Sequence, residues 1–308
     1  MSRSRTSRAA WHGLAALTMV AVGAMVVATA PAARAASPEA LAGPLPAPNP
    51  PQRVVSLNLS ADEVLVEILP AGRLVAVTRW ADDPDSSNVV GRVPAAAARL
   101  PKTDMERLIE LRPDLVVVSE YTDADFLQLL SRSGLRHHRM RGLGSVAGVR
   151  QAIVDLGAAV GEAAAAQRLV GRYDATLARL RGLLAGAPRP RVLYWSSGMT
   201  AGADTAIGSL IETAGGSNLG RELGVVGIQP PGAERAFVSD PDVILVGSWD
   251  RAAESVREDP LLRRLRAVRE GRIVVMPNRL LVSLSQYTAD ACWELAALLH
   301  PERVRPRK

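Results

Sequence analysis

The chain is poor in the residues that usually carry chemistry. Its 308 residues hold one cysteine and four histidines. The lone Cys292 has no partner for an internal disulfide, and its neighbours Ala291, Trp293, Leu295 and Ala296 place it in the core of a terminal helix. His12 lies in a leader and His300 beside the terminal Pro301, while His137 and His138 are adjacent on a predicted strand and point to opposite faces. No zinc or iron cage follows from that set, and a hydrolytic triad lacks a base. There is no nucleotide loop of the G-x(4)-G-K-[ST] type and no G-x-S-x-G. Gly142-x-Gly144 opens a helix, yet Gly148 comes one residue late for a dinucleotide fingerprint and no acid stands at the required distance. Aromatics amount to only 4% of the chain, so packing must rest on Ala, Leu and Val, and each exposed aromatic carries more meaning.

The excess of positive charge shrinks on inspection. Arg3, Arg5 and Arg8 precede an apolar run from Gly13 to Ala30, and Ala33-Arg34-Ala35 is a small-x-small site, the pattern of an export signal over residues 1–35 cleaved near Ala35. Without it, 33 basic residues face 31 acidic ones, and the argument for nucleic acid falls away. Residues 36–52 form a proline-rich tether.

From Arg53 onward, short apolar strands alternate with helical segments. Strands are predicted at 54–57, 74–78, 115–118, 135–140, 192–195, 243–246 and 272–276. Helices are expected at 60–69 with Ser60 as cap, at 103–111 with Thr103 and Glu106 as a capping box, and at 123–133. Further ones are expected at 204–214 behind Asp204 or Thr205, at 234–239, at 261–268 and at 288–299, whereas 79–102 and 224–232 read as loop. Between the two strand–helix series, residues 145–185 keep a helical apolar stripe with one break at Gly161. The expected architecture is α/β: two Rossmann-like lobes with parallel-sheet cores, residues 53–144 and 188–303, joined by a long rigid helical connection over 145–187.

Ligands of parallel α/β sheets collect beyond the carboxyl ends of the strands. Trp80, Tyr121, Trp195 and Trp249 all fall there, two in each lobe. One such aromatic is best explained as a plug on its own sheet; four in a chain this poor in aromatics indicate a shared cleft. Asn58, Ser197, Gln286 and Tyr287 are candidate polar contributors. No catalytic or metal residue stands out, so the expected activity is binding, with a secreted α/β enzyme or chelatase as the alternative from another class.

Four stretches carry a family likeness: RVVSLNLSADEVLVEIL (53–69), VGRVPAAAARLPKTDMERLIELRPDLVVVSE (90–120), GADTAIGSLIETAGGSNLG (202–220), and PDVILVG with DPLLRRLRAVREGRIVVM (241–247 and 259–276). The chain resembles the substrate-binding proteins of ABC importers for vitamin B12, ferric siderophores and haem, whose class III fold joins two lobes by a helical backbone. The resemblance implies a soluble periplasmic monomer, without enzymatic activity or cofactor, that delivers cargo to an inner-membrane permease dimer and its ATPase. It also implies permease docking through one glutamate per lobe, here Glu106 and Glu234, paired with permease arginines. Trp80 matches a cleft aromatic of the B12-binding relatives, whereas Leu100 and Ile228 stand where those relatives have tryptophan. An arginine common near the start of the last helix is missing, a departure that Arg79, Arg99 or Arg141 would have to make good, and Tyr287 is left to line the cleft or to ligate haem iron. On this reading a corrinoid ranks first, a ferric siderophore second and haem third, and a rigid connection implies a small lobe rotation.

Overall fold

The computed structural model describes residues 49–101, 105–231, 233–249 and 251–307; the leader, most of the tether and the Thr103 cap lie outside them. The first lobe runs β1 (Val54–Ser56), α1 (Leu59–Ile68), β2 (Leu74–Thr78), β3 (Ala98–Leu100), α2 (Met105–Glu110), β4 (Leu115–Ser119), α3 (Ala124–Arg132) and β5 (His137–Met140). Its five parallel strands lie in the order β3-β2-β1-β4-β5. Two helices follow, α4 (Val146–Ala159) and α5 (Ala163–Leu183).

The second lobe begins with β6 (Arg191–Tyr194), β7 (Thr200–Ala201), α6 (Ala206–Thr213), β8 (Ser217–Asn218), α7 (Leu219–Glu222), β9 (Ile228–Gln229) and α8 (Ala233–Val238). It ends with β10 (Val243–Gly247), α9 (Ala252–Glu258), α10 (Arg266–Arg269), β11 (Ile273–Met276), α11 (Asn278–Leu281) and α12 (Thr288–Leu299). Its parallel sheet has the order β11-β10-β6-β8, and β7 pairs antiparallel with β9 as a small hairpin. The fold is the expected one, two parallel-sheet lobes joined by long helices.

Local chemistry explains most boundaries. Asn58, two residues ahead of the expected Ser60, caps α1, its Oδ1 accepting from the Ala61 N–H at 2.9 Å. Ser145 caps α4 through the Gly148 N–H at 3.0 Å, and Thr205 caps α6 through the Gly208 N–H at 3.0 Å. A Cβ on Gly148 would lie 1.9 Å from the Gly142 carbonyl oxygen, so close backbone approach, not a dinucleotide, explains the glycines before α4. Inside the two expected loops lie β3 and β9, strands of three and two residues too short to show a period. The helix expected at 261–268 is a 3-10 turn at Leu262–Arg264 followed by α10. Cys292 is fully buried in α12.

The connection is two helices. The chain turns at Val160–Glu162, with Gly161 at φ +74°, and α5 packs back along α4. Buried Arg73 clamps this turn, bonded to the Val160 carbonyl and the Glu162 carboxylate, and its Nε donates to the Pro51 carbonyl at 2.7 Å. Gln52 N–H reaches Asp114 Oδ2 at 2.6 Å, so residues 50–52 already belong to the folded body. On α5, Ala166, Leu169 and Val170 sit in the first lobe's core, whereas Tyr173 and Leu180 sit in the second's.

Because one helix serves both cores, Leu169→Ala and Leu180→Ala are each expected to cost about 2–5 kcal/mol. Each is expected to shift a single cooperative transition, monitored in urea by far-UV circular dichroism and tryptophan fluorescence together. Two separated transitions in either variant would show that the lobes unfold independently.

Candidate functional site

The carboxyl edges of the two sheets face each other. Asn88, in the loop after β2, exchanges hydrogen bonds with Arg279, just beyond β11: Nδ2 to the Arg279 carbonyl at 2.7 Å and Arg279 Nη1 to Oδ1 at 3.1 Å. At the other end, Glu120 and Tyr121, after β4, line a cavity of about 460 Å³ together with Asp204, Thr205 and Ser209 of the second lobe. Next to it the Val146 N–H donates to Ser209 Oγ at 3.0 Å. The strand ends between these two contacts form the candidate cleft.

The four aromatics behave differently. Trp80 stands on a 3-10 turn directly after β2, 46% exposed, with the Arg79 guanidinium 4.6 Å above its ring. Tyr121 is 60% exposed. Burial first, and the Glu120 carboxylate second, raise the pKa of its phenol. Trp195 instead packs against the clusters around Ile244 and Leu193, and Trp249 folds back over Gly247, where a Cβ would meet its ring at 3.1 Å. The exposed aromatic surface therefore belongs to the first lobe. Beyond the end of β6 the second lobe offers Ser197, exposed on a tight turn at φ +48°, and the exposed Val226 and Ile228 of the hairpin. Leu100 is buried in the first lobe's core and so does not stand in for a cleft aromatic.

The remaining polar candidates lie at the seam between the lobes. Asn58 has its oxygen spent on the α1 cap, and its Nδ2 is buried without a partner. The loop 282–287 leaves the second lobe and lies on the first: Leu284 and Tyr287 pack against that lobe's core. Gln286 Nε2 donates to the Glu63 carbonyl at 2.8 Å. Tyr287 Oη accepts from Arg92 Nη1 at 2.6 Å, and Arg92 is also paired with Glu67. Half-buried and engaged by an arginine, the Tyr287 phenol has its pKa raised, chiefly by burial.

The centre of the seam is a carboxylate that the sequence does not advertise. Glu63, buried on α1, accepts at Oε1 from the Asn88 N–H and Nδ2, both at 2.8 Å, and at Oε2 from Ser283 at 3.0 Å and from Ser285. Burial raises its pKa and the hydrogen bonds only partly oppose that. Its neighbour Asp62, also fully buried, accepts from Thr78 N–H at 3.2 Å and Oγ1 at 2.6 Å. Desolvation dominates there too, and lifts its pKa to about 7. Glu63 meets its partners across some 220 residues of chain, so no local pattern could reveal it. Arg79 was more accessible to sequence reasoning, since it stands beside Trp80 at a strand end.

Of the three arginines considered for an anionic ligand, Arg99 is occupied by a two-point pair with Asp82 (2.7 and 2.9 Å) and by the Pro94 and Ala97 carbonyls. Arg79 and Arg141 remain exposed at the ends of β2 and β5. Among the described residues no group of His, Cys, Asp and Glu is arranged to hold a metal. His137 is exposed and His138 half-buried, its pKa lowered by burial; they are the first two residues of β5, away from its carboxyl end. Glu106 is exposed on α2, and Glu234 lies in the first turn of α8.

Two α/β lobes with facing carboxyl edges and an exposed aromatic rim are the architecture of a two-lobed substrate-binding protein. The family model described as periplasmic binding protein matches residues 54–280, and the chain belongs to that family. A cobalamin-binding protein of Halobacterium salinarum is 29% identical over 281 residues, covering 85% of this chain and 75% of that one. Among solved structures, a periplasmic heme binding protein from Pseudomonas aeruginosa is 25% identical with a TM-score of 0.69, over 84% of this chain and 95% of that one. The heme-binding RhuT of Roseiflexus sp. RS-1 is 24% identical with the same TM-score, over 81% and 98%. The protein is thus a soluble periplasmic binding protein of the class III fold, homologous to metal-chelate binding proteins, and not an enzyme.

Asp62 gives the seam a pH signature. Its folded-state pKa lies above the unfolded value of 3.8, so between 3.8 and about 7 the folded chain holds a proton that the unfolded chain has lost. Stability contributed by this group is therefore present at low pH and lost as pH rises through that window. Urea titrations from pH 4 to 8 are expected to show a flatter decline in Asp62→Asn than in the parent; identical slopes would remove Asp62 as the cause.

Proposed function

We propose that this protein captures a flat, anionic metal chelate of the haem type in the cleft and hands it to an ABC permease. The observation that carries the reading is the pairing of Arg79 over exposed Trp80 at the first lobe's carboxyl edge, with Tyr121 two strand ends away. A flat ring offers contact area to a macrocycle, and a guanidinium beside it suits a peripheral carboxylate. Exposed Arg79 and Arg141 also supply the positive charge missing near the last helix, which removes the main objection to an anionic cargo. Tyr121 offers a phenol oxygen for a ferric centre. Its raised pKa means that ligation must expel a proton, so affinity through this oxygen rises with pH. Tyr287, held by Arg92 in the seam, is not needed for that role.

The similarity to periplasmic heme-binding proteins supports this order, in which haem displaces the corrinoid from first place. A corrinoid is the second reading, favoured by the cobalamin-binding protein among the relatives. Absorption titrations with hemin, cyanocobalamin and a ferric catecholate siderophore separate the readings. Hemin is expected to bind tightest, Trp80→Ala to weaken it about tenfold or more, and Tyr121→Phe to change the visible spectrum of the bound iron. Saturable cobalamin binding with no response to hemin would reverse the order, and no response to any of the three would remove the metal-chelate reading.

Glu106 and Glu234 are the proposed contacts to the permease, one on each lobe. Two carboxylates at a fixed separation, each meeting an arginine, orient the loaded protein through charge-assisted hydrogen bonds. The double variant Glu106→Lys/Glu234→Lys is expected to keep its ligand affinity and to lose stimulation of the transporter ATPase. Stimulation equal to the parent's would exclude these residues as the contacts.

A further inference from the structure

One face of the second lobe gathers arginines that no acid answers. Phe237 of α8, 37% exposed, lies with Arg263, Arg264 and Arg269 around an open depression of about 520 Å³. The Arg264 guanidinium stands 5.7 Å from the Phe237 ring centre. Several neighbouring arginines of this lobe are paired with acids: Arg266 with Asp240, Asp242 and Glu270, Arg272 with Glu270, Arg251 with Glu258, Arg257 with Glu254. Among the described residues, Arg263, Arg264 and Arg269 have no carboxylate within salt-bridge distance. Two further apolar side chains adjoin them in the chain, Val238 next to Phe237 at 83% exposed and Leu261 just before the 3-10 turn of Arg263 and Arg264.

Uncompensated cations side by side cost self-repulsion, and an exposed valine and phenylalanine gain nothing from water. Cations flanking exposed apolar side chains are what a surface needs to rest on anionic headgroups, the charges meeting phosphates and the apolar groups entering the boundary below. We propose that this face of the second lobe is a docking surface for the anionic phospholipid headgroups of a membrane. It goes beyond the cargo and permease readings and stands without them. With the mature chain near neutrality overall, attraction must come from this local cluster, and it must be sensitive to salt. Phe237 lies three residues along the same helix from Glu234, so headgroup contact would concentrate the protein, and turn that helix, toward the plane in which a permease sits.

Co-sedimentation of the purified mature protein with vesicles tests this without permease or cargo. Binding is expected to phosphatidylcholine vesicles containing phosphatidylglycerol at low salt, with little to phosphatidylcholine alone. Arg263→Glu/Arg264→Glu/Arg269→Glu is expected to lower it about tenfold or more. The corresponding glutamine variants are expected to lose less, and Phe237→Ser/Val238→Ser to lose the part that survives added salt. Reversal of the exposed, distant Arg132, Arg136 and Arg168 is the control and is expected to change binding less than twofold. Circular dichroism of each variant confirms the fold. The proposal is overturned if anionic vesicles bring down no protein, or if the distant reversal is as damaging. Competition by inorganic phosphate at matched headgroup concentration would overturn it in favour of a small-anion site. Binding only to vesicles that contain the permease would overturn it in favour of an acidic protein partner.

Discussion

The structure depends on one helix being buried at both ends in different cores. α5 is 21 residues long, about 30 Å. Its first two turns lie among first-lobe side chains, and its middle and end lie among those of the second. The packing of a helix fixes its axis as well as its register, so each lobe holds α5 in a defined direction and α5 transmits that direction to the other lobe. Two further ties stiffen the arrangement. Arg73 clamps the turn before α5, and Tyr173 Oη donates to the Val146 carbonyl at 2.8 Å, joining α5 to the start of α4. Bending such a rod breaks main-chain hydrogen bonds that a pair of extended linkers would not have to lose. Such a connection resists large rotation of one lobe against the other.

The seam across the lobes is of another character, and the contrast is informative. Beside the packing of Leu284 and Tyr287, its contacts are polar: Asn88 with Arg279, Arg92 with Tyr287, Glu63 with two serines. Hydrogen bonds of this kind exchange for water at small net cost, unlike interlocked apolar side chains. Glu63 is the exception within the seam. Once buried it needs every donor it has, because a carboxyl left without partners would carry its full desolvation penalty. The seam thus tolerates slight opening at its rim, through Asn88 and Arg92, while Glu63 holds the centre shut. Rod and buried carboxyl restrict the same motion, and Glu67, paired with both Arg172 of α5 and Arg92 of the seam, ties the two together.

Much of this was legible in the sequence because it is local. The periodicity of residues 145–185, the break at Gly161, the apolar strands of both lobes and the limits of α12 each need only a window of a dozen residues. The caps were partly legible: Thr205 acts as one of the two expected candidates, Ser145 caps α4 without having been singled out, and Asn58 replaces Ser60 because either side chain can start that helix and only packing decides. What escaped falls into two kinds. β3 and β9 are defined by neighbours in the sheet and have no pattern of their own. The seam is defined by pairs such as Glu63 with Ser283, which become neighbours only after both lobes have folded. The cleft lies between these cases. Sequence position correctly brought four aromatics to strand ends, but position cannot say which rings turn outward. Trp195 turns onto apolar clusters of its own lobe and Trp249 onto Gly247, whereas Trp80, on its 3-10 turn after β2, stays exposed.

That division makes the lobes unequal despite their shared topology. The first lobe offers flat, exposed, partly cationic surface at Arg79, Trp80 and Tyr121. The second offers a short hairpin with Val226 and Ile228, and a tight turn at Ser197. On the proposed function, a ligand in this cleft gains most of its contact area from the first lobe and only a cover from the second. The rod then explains why a cover suffices. With lobe separation held by α5 and the seam by Glu63, the proposed function has the cargo retained without the second lobe closing over it. It needs only to stand at the right distance, and its other surfaces are left free for contact with the partners that the cargo must reach.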